Sequence, residues 1–300
     1  MFLVDNWTNT YLRRALVFAF FLGMMATGVF AQNLPVLKLE AYKRIDEPAR
    51  DEVSGIVKSQ KYEDVFWVHG DSGTPDRIYA IDKNGDIISE DKEYKGAKVK
   101  GAKNVDWEDI ALGENGTLIL ADVGNNCECR NDLKIYIMEE PKPDAEEVKV
   151  QYEYQVSYPK RTDLIGQFLN SNYNAEGVFQ WDGVIYVLTK QARKTRLFML
   201  QNPIVGEVNE LVFVESIATN QLVTAADISP DGTLLAVLMY DQVYVFEITE
   251  NTFLNGRKAG AYIEGVEQVE SIVFDGEALI IAEENGDLYR VKLAELAEVE

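Results

Sequence analysis

Three glutamates, Glu108, Glu176 and Glu270, stand at the head of short apolar runs that read as copies of one another: Glu108-Asp109-Ile110, Glu176-Gly177-Val178 and Glu270-Ser271-Ile272. Two further runs open with Ser54-Gly55-Ile56 and Ala226-Asp227-Ile228. If all are the same strand of a repeated unit, the three carboxylates converge. At an effective dielectric of ~20, each pair of neighbouring carboxylates repels by about 2–4 kcal/mol. Protonation, a basic partner or a cation relieves such repulsion, and an all-oxygen set suits a hard divalent ion with irregular coordination, Ca²⁺ above all. Two outcomes stay open: Ca²⁺ or another divalent metal held by Glu108, Glu176 and Glu270, or a hydrated acidic channel partly neutralised by Lys190 and loop arginines.

The elements that position these groups are strands. From Val36 onward, runs of Val, Ile, Leu, Tyr and Phe are cut by Gly, Asn and Asp turns, with no helical period. Each tripeptide strand is followed by a turn, four of them Asn115-Gly116, Asp182-Gly183, Asp231-Gly232 and Asp275-Gly276, the strongest short hairpin signals. Second strands are expected at Val65–Val68, Leu118–Ala121, Val184–Leu188, Leu234–Leu238 and Ala278–Ala282. Third strands follow, and fourth strands are expected at Ile87–Glu90, Val148–Ser157, Leu211–Ile217 and Gly260–Gly265. The fifth unit runs out of chain after three strands, and the N-terminal run Val36–Ile45 can supply the missing one. The fold class is therefore all-β, a five-bladed β-propeller closed by an N-terminal strand, with six blades as the alternative.

In such a ring the strand heads gather at one mouth. The ends of the second strands, Asp71, Asp122, Lys190, Tyr240 and Glu283, should surround the glutamates there, with Arg130 as an anion-binding candidate on the rim. His69 and Asp122 are the candidate general bases, and for His69 a structural hydrogen bond is the competing role. Asp82-Lys83-Asn84-Gly85-Asp86 echoes the start of a calcium loop but lacks the downstream Glu spacing, so a hairpin turn is expected. Trp107 and Trp181 are expected to pack between units.

The series of tripeptides, with Trp67-Val68-His69-Gly70-Asp71-Ser72-Gly73 and Asp106-Trp107-Glu108-Asp109-Ile110-Ala111, resembles the SdiA-regulated family of five-bladed propellers in bacterial envelopes. More broadly it resembles NHL-type and SMP-30/gluconolactonase-like propellers. The resemblance implies calcium or another divalent metal in the central channel. Ser54 and Ala226 depart from it by replacing Glu.

The remaining features concern address and partners. Arg13-Arg14 precede an apolar run from Ala15 to Phe30 and a small residue at Ala31, so residues 1–31 read as a secretory signal and residues 32–300 as one domain. That places the protein outside the cell or in the bacterial envelope, with no membrane insertion after cleavage. The 300-residue chain carries a net charge of −21, which repels nucleic acid and favours cations and basic partners. Cys127 and Cys129 are the only cysteines, either a labile loop disulfide or two free thiols. The expected function is a monomeric binding module for a small molecule, protein or peptide; the rival is a metal-dependent hydrolase of lactonase or phosphoesterase type.

Overall fold

In the computed structural model, the described residues are 34–160 and 173–299. The signal segment 1–31, the junction at Gln32 and most of the 159–173 insertion lie outside them.

The N-terminal run gives two short strands, β1 (Val36–Lys38) and β2 (Lys43–Arg44). The first unit holds β3 (Val53–Lys58), β4 (Phe66–Gly70), β5 (Arg77–Ile81) and β6 (Ala97–Lys100). The second holds β7 (Trp107–Gly113), β8 (Thr117–Asp122), β9 (Lys134–Glu139) and β10 (Glu147–Ser157). The third holds β11 (Ala175–Trp181), β12 (Val184–Thr189) and β13 (Lys194–Leu200), then a short β14 (Val208–Glu210) and β15 (Val212–Ala218). The fourth runs through β16 (Val223–Ile228), β17 (Leu234–Met239), β18 (Gln242–Glu247) and β19 (Lys258–Glu264). Last come β20 (Val269–Asp275), β21 (Ala278–Glu283), β22 (Asp287–Lys292) and β23 (Ala297–Val299). Two single-turn 3₁₀ segments interrupt this all-β pattern, and among the described residues no helix is long and apolar enough to cross a membrane.

The first two strands of each unit form an antiparallel hairpin, because the turn between them is too short for any crossover, and the third strand adds antiparallel to the second; β14 pairs instead in parallel with β10 of the second unit, and β23 antiparallel with β19 of the fourth. At Asn115-Gly116 and Asp182-Gly183 both residues have positive φ, as the tight hairpin requires. The first and second units are fused into one sheet by a parallel pair between β6 and β10. The N-terminal run divides its work: β2 takes the outer place beside β22, whereas β1 adds in parallel to β19 of the fourth unit. It was expected as a single strand on the last unit alone. The fourth strand of the first unit is also not Ile87–Glu90; Ile87 makes one isolated bridge to Ile81, and the alternating Ala97-Lys98-Val99-Lys100 pairs instead.

The inner strands stand side by side in the order β3, β7, β11, β16, β20 and back to β3. Apolar cores fill the spaces between neighbouring units. Trp67 and Ile78 meet Trp107 and Leu120, and Phe179 and Leu188 meet Val237 and Phe246. The circuit closes where Ile56, Val68 and Tyr79 meet Val273, Ile280 and Leu288. Trp67 donates from Nε1 to Glu140 Oε1 at 2.8 Å and Trp181 from Nε1 to the Gly232 carbonyl at 3.0 Å, so both indoles tie neighbouring units together.

Candidate functional site

Every inner strand carries a β-bulge at the same place. The register skips Ser54, Glu108, Glu176, Thr224 and Glu270, one in each unit. A bulge leaves one residue unpaired and re-aims its side chain. Here it places the three glutamates together around one cavity, with Ser54 beside them. The counterpart in the fourth unit is Thr224, two residues before the Ala226 expected from the sequence. Asp227-Ile228 imitates Asp109-Ile110 in composition, and only the register separates them.

The cavity holds about 40 Å³ and is lined by Glu52, Ser54, Asp71, Glu108, Glu176 and Glu270, with Lys190, Glu284 and Asn126 completing its wall. The residues just past the second strands supply Asp71, Lys190 and Glu284. Glu283 and Asp122 are the last residues of their strands, one short of that position, and alternation turns them away. Glu283 instead accepts from the Glu267 N–H at 2.5 Å and Asn285 Nδ2 at 2.9 Å. Asp122 Oδ1 accepts from the Asp106 N–H at 3.0 Å and from Arg130 Nη2 at 2.9 Å. Arg130 is thereby a half-buried partner of Asp122 and also donates to the Gly124 carbonyl at 2.7 Å, which turns the guanidinium expected on the rim toward this loop.

Lys190 occupies the place where a cation was expected between two of the glutamates. Its Nζ lies 3.3 Å from Glu176 Oε1 and 3.6 Å from Glu270 Oε2, 5.3 Å above the Tyr240 ring. Burial works against its charge, but Glu176 and Glu270 outweigh burial and hold the ammonium protonated. Tyr240 donates to Glu270 Oε1 at 3.1 Å, and Asn174 Nδ2 donates to Glu176 Oε1 at 2.9 Å. Burial still lifts Glu176 to about 7 against the pull of Lys190.

On the other side of the cavity the described residues make no ion pair. Asp71, Asp106 and Glu108 offer carboxylate oxygens that all lie within 4.8 Å of one another. Among the described residues, no Lys or Arg forms an ion pair with them. Burial, then the charges of Glu176 and Asp71, raise Glu108 far above the usual carboxylate range. Burial and the neighbouring Asp106 raise Asp71 despite the Ser72 N–H and the more distant charge of Lys190. A side chain at Gly124 would come within 2.5 Å of the Asp106 carboxylate and closer still to Glu108 Oε1, so glycine there leaves the room these oxygens occupy. Asp106 was missed in the sequence because it precedes the strand; the acidic pair Asp106-x-Glu108 was the available signal. Nearby, burial and a hydrogen bond with Glu52 raise Glu284 to about 7.

His69 is fully buried. Its Nδ1 lies 3.1 Å from the Gly70 carbonyl, its ring stands edge-on to Trp107, and its Nε2 faces Gly55, which leaves no room for a side chain. Burial lowers it to about 4, so it is neutral and away from the cavity. Asp109 and Asp227 are buried too, but they reach the next unit: Asp109 Oδ2 accepts the Val178 N–H at 2.7 Å, and Asp227 Oδ2 accepts the Phe274 N–H at 2.8 Å. Asp82 Oδ1 accepts from the N–H groups of Asn84 and Asp86, closing an ordinary hairpin turn. Cys127 and Cys129 form a disulfide.

No protein-family model matches the chain, and no curated protein matches it in sequence. The structure is similar to the solved glutaminyl cyclase of Myxococcus xanthus, with a TM-score of 0.51 and 8% identity over 89% of this chain and 100% of that one. The fold is of β-propeller type. Two further similar structures are the PQQ-bound aldose sugar dehydrogenase of Streptomyces coelicolor (TM-score 0.46, 11% identity, 87% and 97% covered) and a nidogen/laminin complex (TM-score 0.44, 11% identity, 84% of each chain). At such identities the likeness concerns the propeller fold, and the resemblance to the SdiA-regulated family narrows to that level.

Proposed function

We propose that this chain is an exported five-bladed propeller that serves as a binding module, with a divalent cation, calcium by preference, seated at the strand-head mouth on Asp71, Asp106 and Glu108. Counting each four-stranded unit as a blade gives the five, with β2 completing the last. The observation that carries the cation is the division of the cavity: Lys190 neutralises Glu176 and Glu270, while the oxygens of Asp71, Asp106 and Glu108 crowd within 4.8 Å with no basic partner among the described residues. The donor set is all hard oxygen, as calcium prefers. A cavity of about 40 Å³ has room for an ion and its water rather than for an organic substrate. The hydrolase reading is weaker, because both of its candidate bases are engaged elsewhere: His69 is buried against Gly55, and Asp122 is held by Arg130. The cation would hold the mouth in shape, and the partner would bind outside it.

Calorimetric titration of the chelator-treated protein tests this. Calcium should bind and raise the melting temperature, worth about 2.7 kcal/mol at a hundredfold its dissociation constant. The double variant D106N/E108Q should lose both responses while staying folded. No heat and no melting shift with calcium, magnesium or manganese would overturn the proposal.

A further inference from the structure

The loop that leaves β8 carries the chain's two cysteines, joined as Cys127–Cys129 with Cα atoms 5.1 Å apart, and both residues are exposed. Closing a loop this short removes little entropy from the unfolded chain, so the bond adds less stability than a long-range disulfide does. The loop is in any case held by other means. Asn125 Oδ1 accepts from the N–H groups of Cys129 and Arg130 at 2.9 Å each, and the Asn125 N–H donates to Asn174 Oδ1 at 2.6 Å. These bonds anchor Asn125, Cys129 and Arg130 when the disulfide opens, whereas the backbone of Asn126 and Cys127 between them loses its covalent tie. The same loop builds the wall of the central cavity. Gly124 backs onto Asp106 and Glu108, Asn126 lines the cavity, and Asn126 Oδ1 accepts from Asn174 Nδ2, which also donates to Glu176.

We propose that Cys127–Cys129 is a thiol-exchange site opened by a dithiol reductant, and that opening it loosens the Asn126 wall and weakens cation binding in the cavity. The second half rests on the cation site proposed above. In the first step a thiolate of the dithiol attacks Cys129 Sγ, the Cys127–Cys129 bond breaks, and a mixed disulfide with Cys129 forms. Cys127 leaves as thiolate and takes up the proton that the dithiol released. Its S–H then points to Asn125 Oδ1, which already lies 3.6 Å from that sulfur. The dithiol's second thiol attacks the mixed disulfide, forms the reductant's own disulfide and releases Cys129, which is protonated in turn. Two electrons and two protons pass from the dithiol to the protein.

The test uses the full chain, folded, with dithiothreitol as the probe and N-ethylmaleimide as the trap. Both cysteines should alkylate without denaturant, read by mass, with the circular dichroism unchanged. Alkylation that needs denaturant overturns the exchange site. Calcium titration of the reduced, unalkylated protein should show a severalfold weaker dissociation constant that recovers on reoxidation, and C127S/C129S should match the reduced form. Equal calcium affinity in both redox states overturns the coupling and leaves the exchange result standing. Absence of calcium binding in either state overturns the cation site and the coupling with it, whereas the exchange site is still judged by alkylation.

Discussion

The two mouths of the inner-strand ring are both acidic, and they use their acids in opposite ways. The strand-head mouth packs Glu52, Asp71, Glu108, Glu176, Glu270 and Glu284 around Lys190 in about 40 Å³. The hairpin-turn mouth is an open cleft of about 940 Å³ that also gathers Glu114, Asp182, Asp227, Asp231 and Glu250. At the cleft, two of these acids are consumed by local donors. Asp231 accepts from Ser229 and Thr233 and is held below the ordinary range by those bonds, and Asp227 holds the Phe274 N–H. Around Asp71 and Glu108 at the strand heads donors are scarcer, and burial drives those carboxyls upward. Acid density alone does not mark a site; the supply of hydrogen-bond donors decides whether a carboxylate is a fastener or an open ligand.

The largest test removes Lys190, the one cation among the described residues that line the narrow mouth. Lys190→Met leaves Glu176 and Glu270 buried without their ammonium, and should cost about 4 kcal/mol at about pH 8 in chemical denaturation. The loss should shrink as pH falls, because burial raises both carboxyls and without the ammonium they take up protons more readily in the folded state. A loss that does not change with pH would mean that Lys190 acts by packing alone. Next is the fastener class. Asp109→Ala strands the buried Val178 N–H, and about 3 kcal/mol should be lost with calcium affinity retained.

A smaller effect separates fastening from titration. Burial raises Asp227 from 3.8 to about 7 against the Phe274 and Ile228 N–H groups. A raised carboxyl binds its proton more tightly folded than unfolded, so its contribution is full below about pH 4 and is lost as pH rises through about 7. The slope from this group reaches roughly 1.4 kcal/mol per pH unit, and Asp227→Asn should flatten the stability profile between those limits. The smallest effect is at the cleft: Trp181→Phe removes one indole hydrogen bond to Gly232 and should cost about 1 kcal/mol without changing calcium binding.

Much of this was legible in the sequence because strands and tight turns leave local marks. The Asn-Gly and Asp-Gly turns set the hairpins, and the repeat led to Glu108, Glu176 and Glu270 and to Lys190. The failures were of one or two residues: a slip of one turns a side chain to the other face of the strand, and a slip of two moves it along the same face. Glu283 was read in place of Glu284, and Ala226 in place of Thr224. Neighbouring residues of like chemistry hide the slip, and the bulge that fixes the register has no composition of its own. The outward lysines of Lys98–Lys100 dilute the apolar signal of that strand, although Ala97 and Val99 are fully buried.

Strand β19 is flanked by both ends of the described chain. β1 lies along its Tyr262–Glu264 portion in parallel, and β23 along Lys258–Gly260 antiparallel. Tension applied through the two ends would therefore load one strand of the fourth unit first. Its two short ladders, of three residue pairs each, would shear before the rest of the ring bears any force. Mechanically, the terminal strands act as a fuse, and a single-molecule pull should show a small early extension followed by a separate rupture of the closed ring.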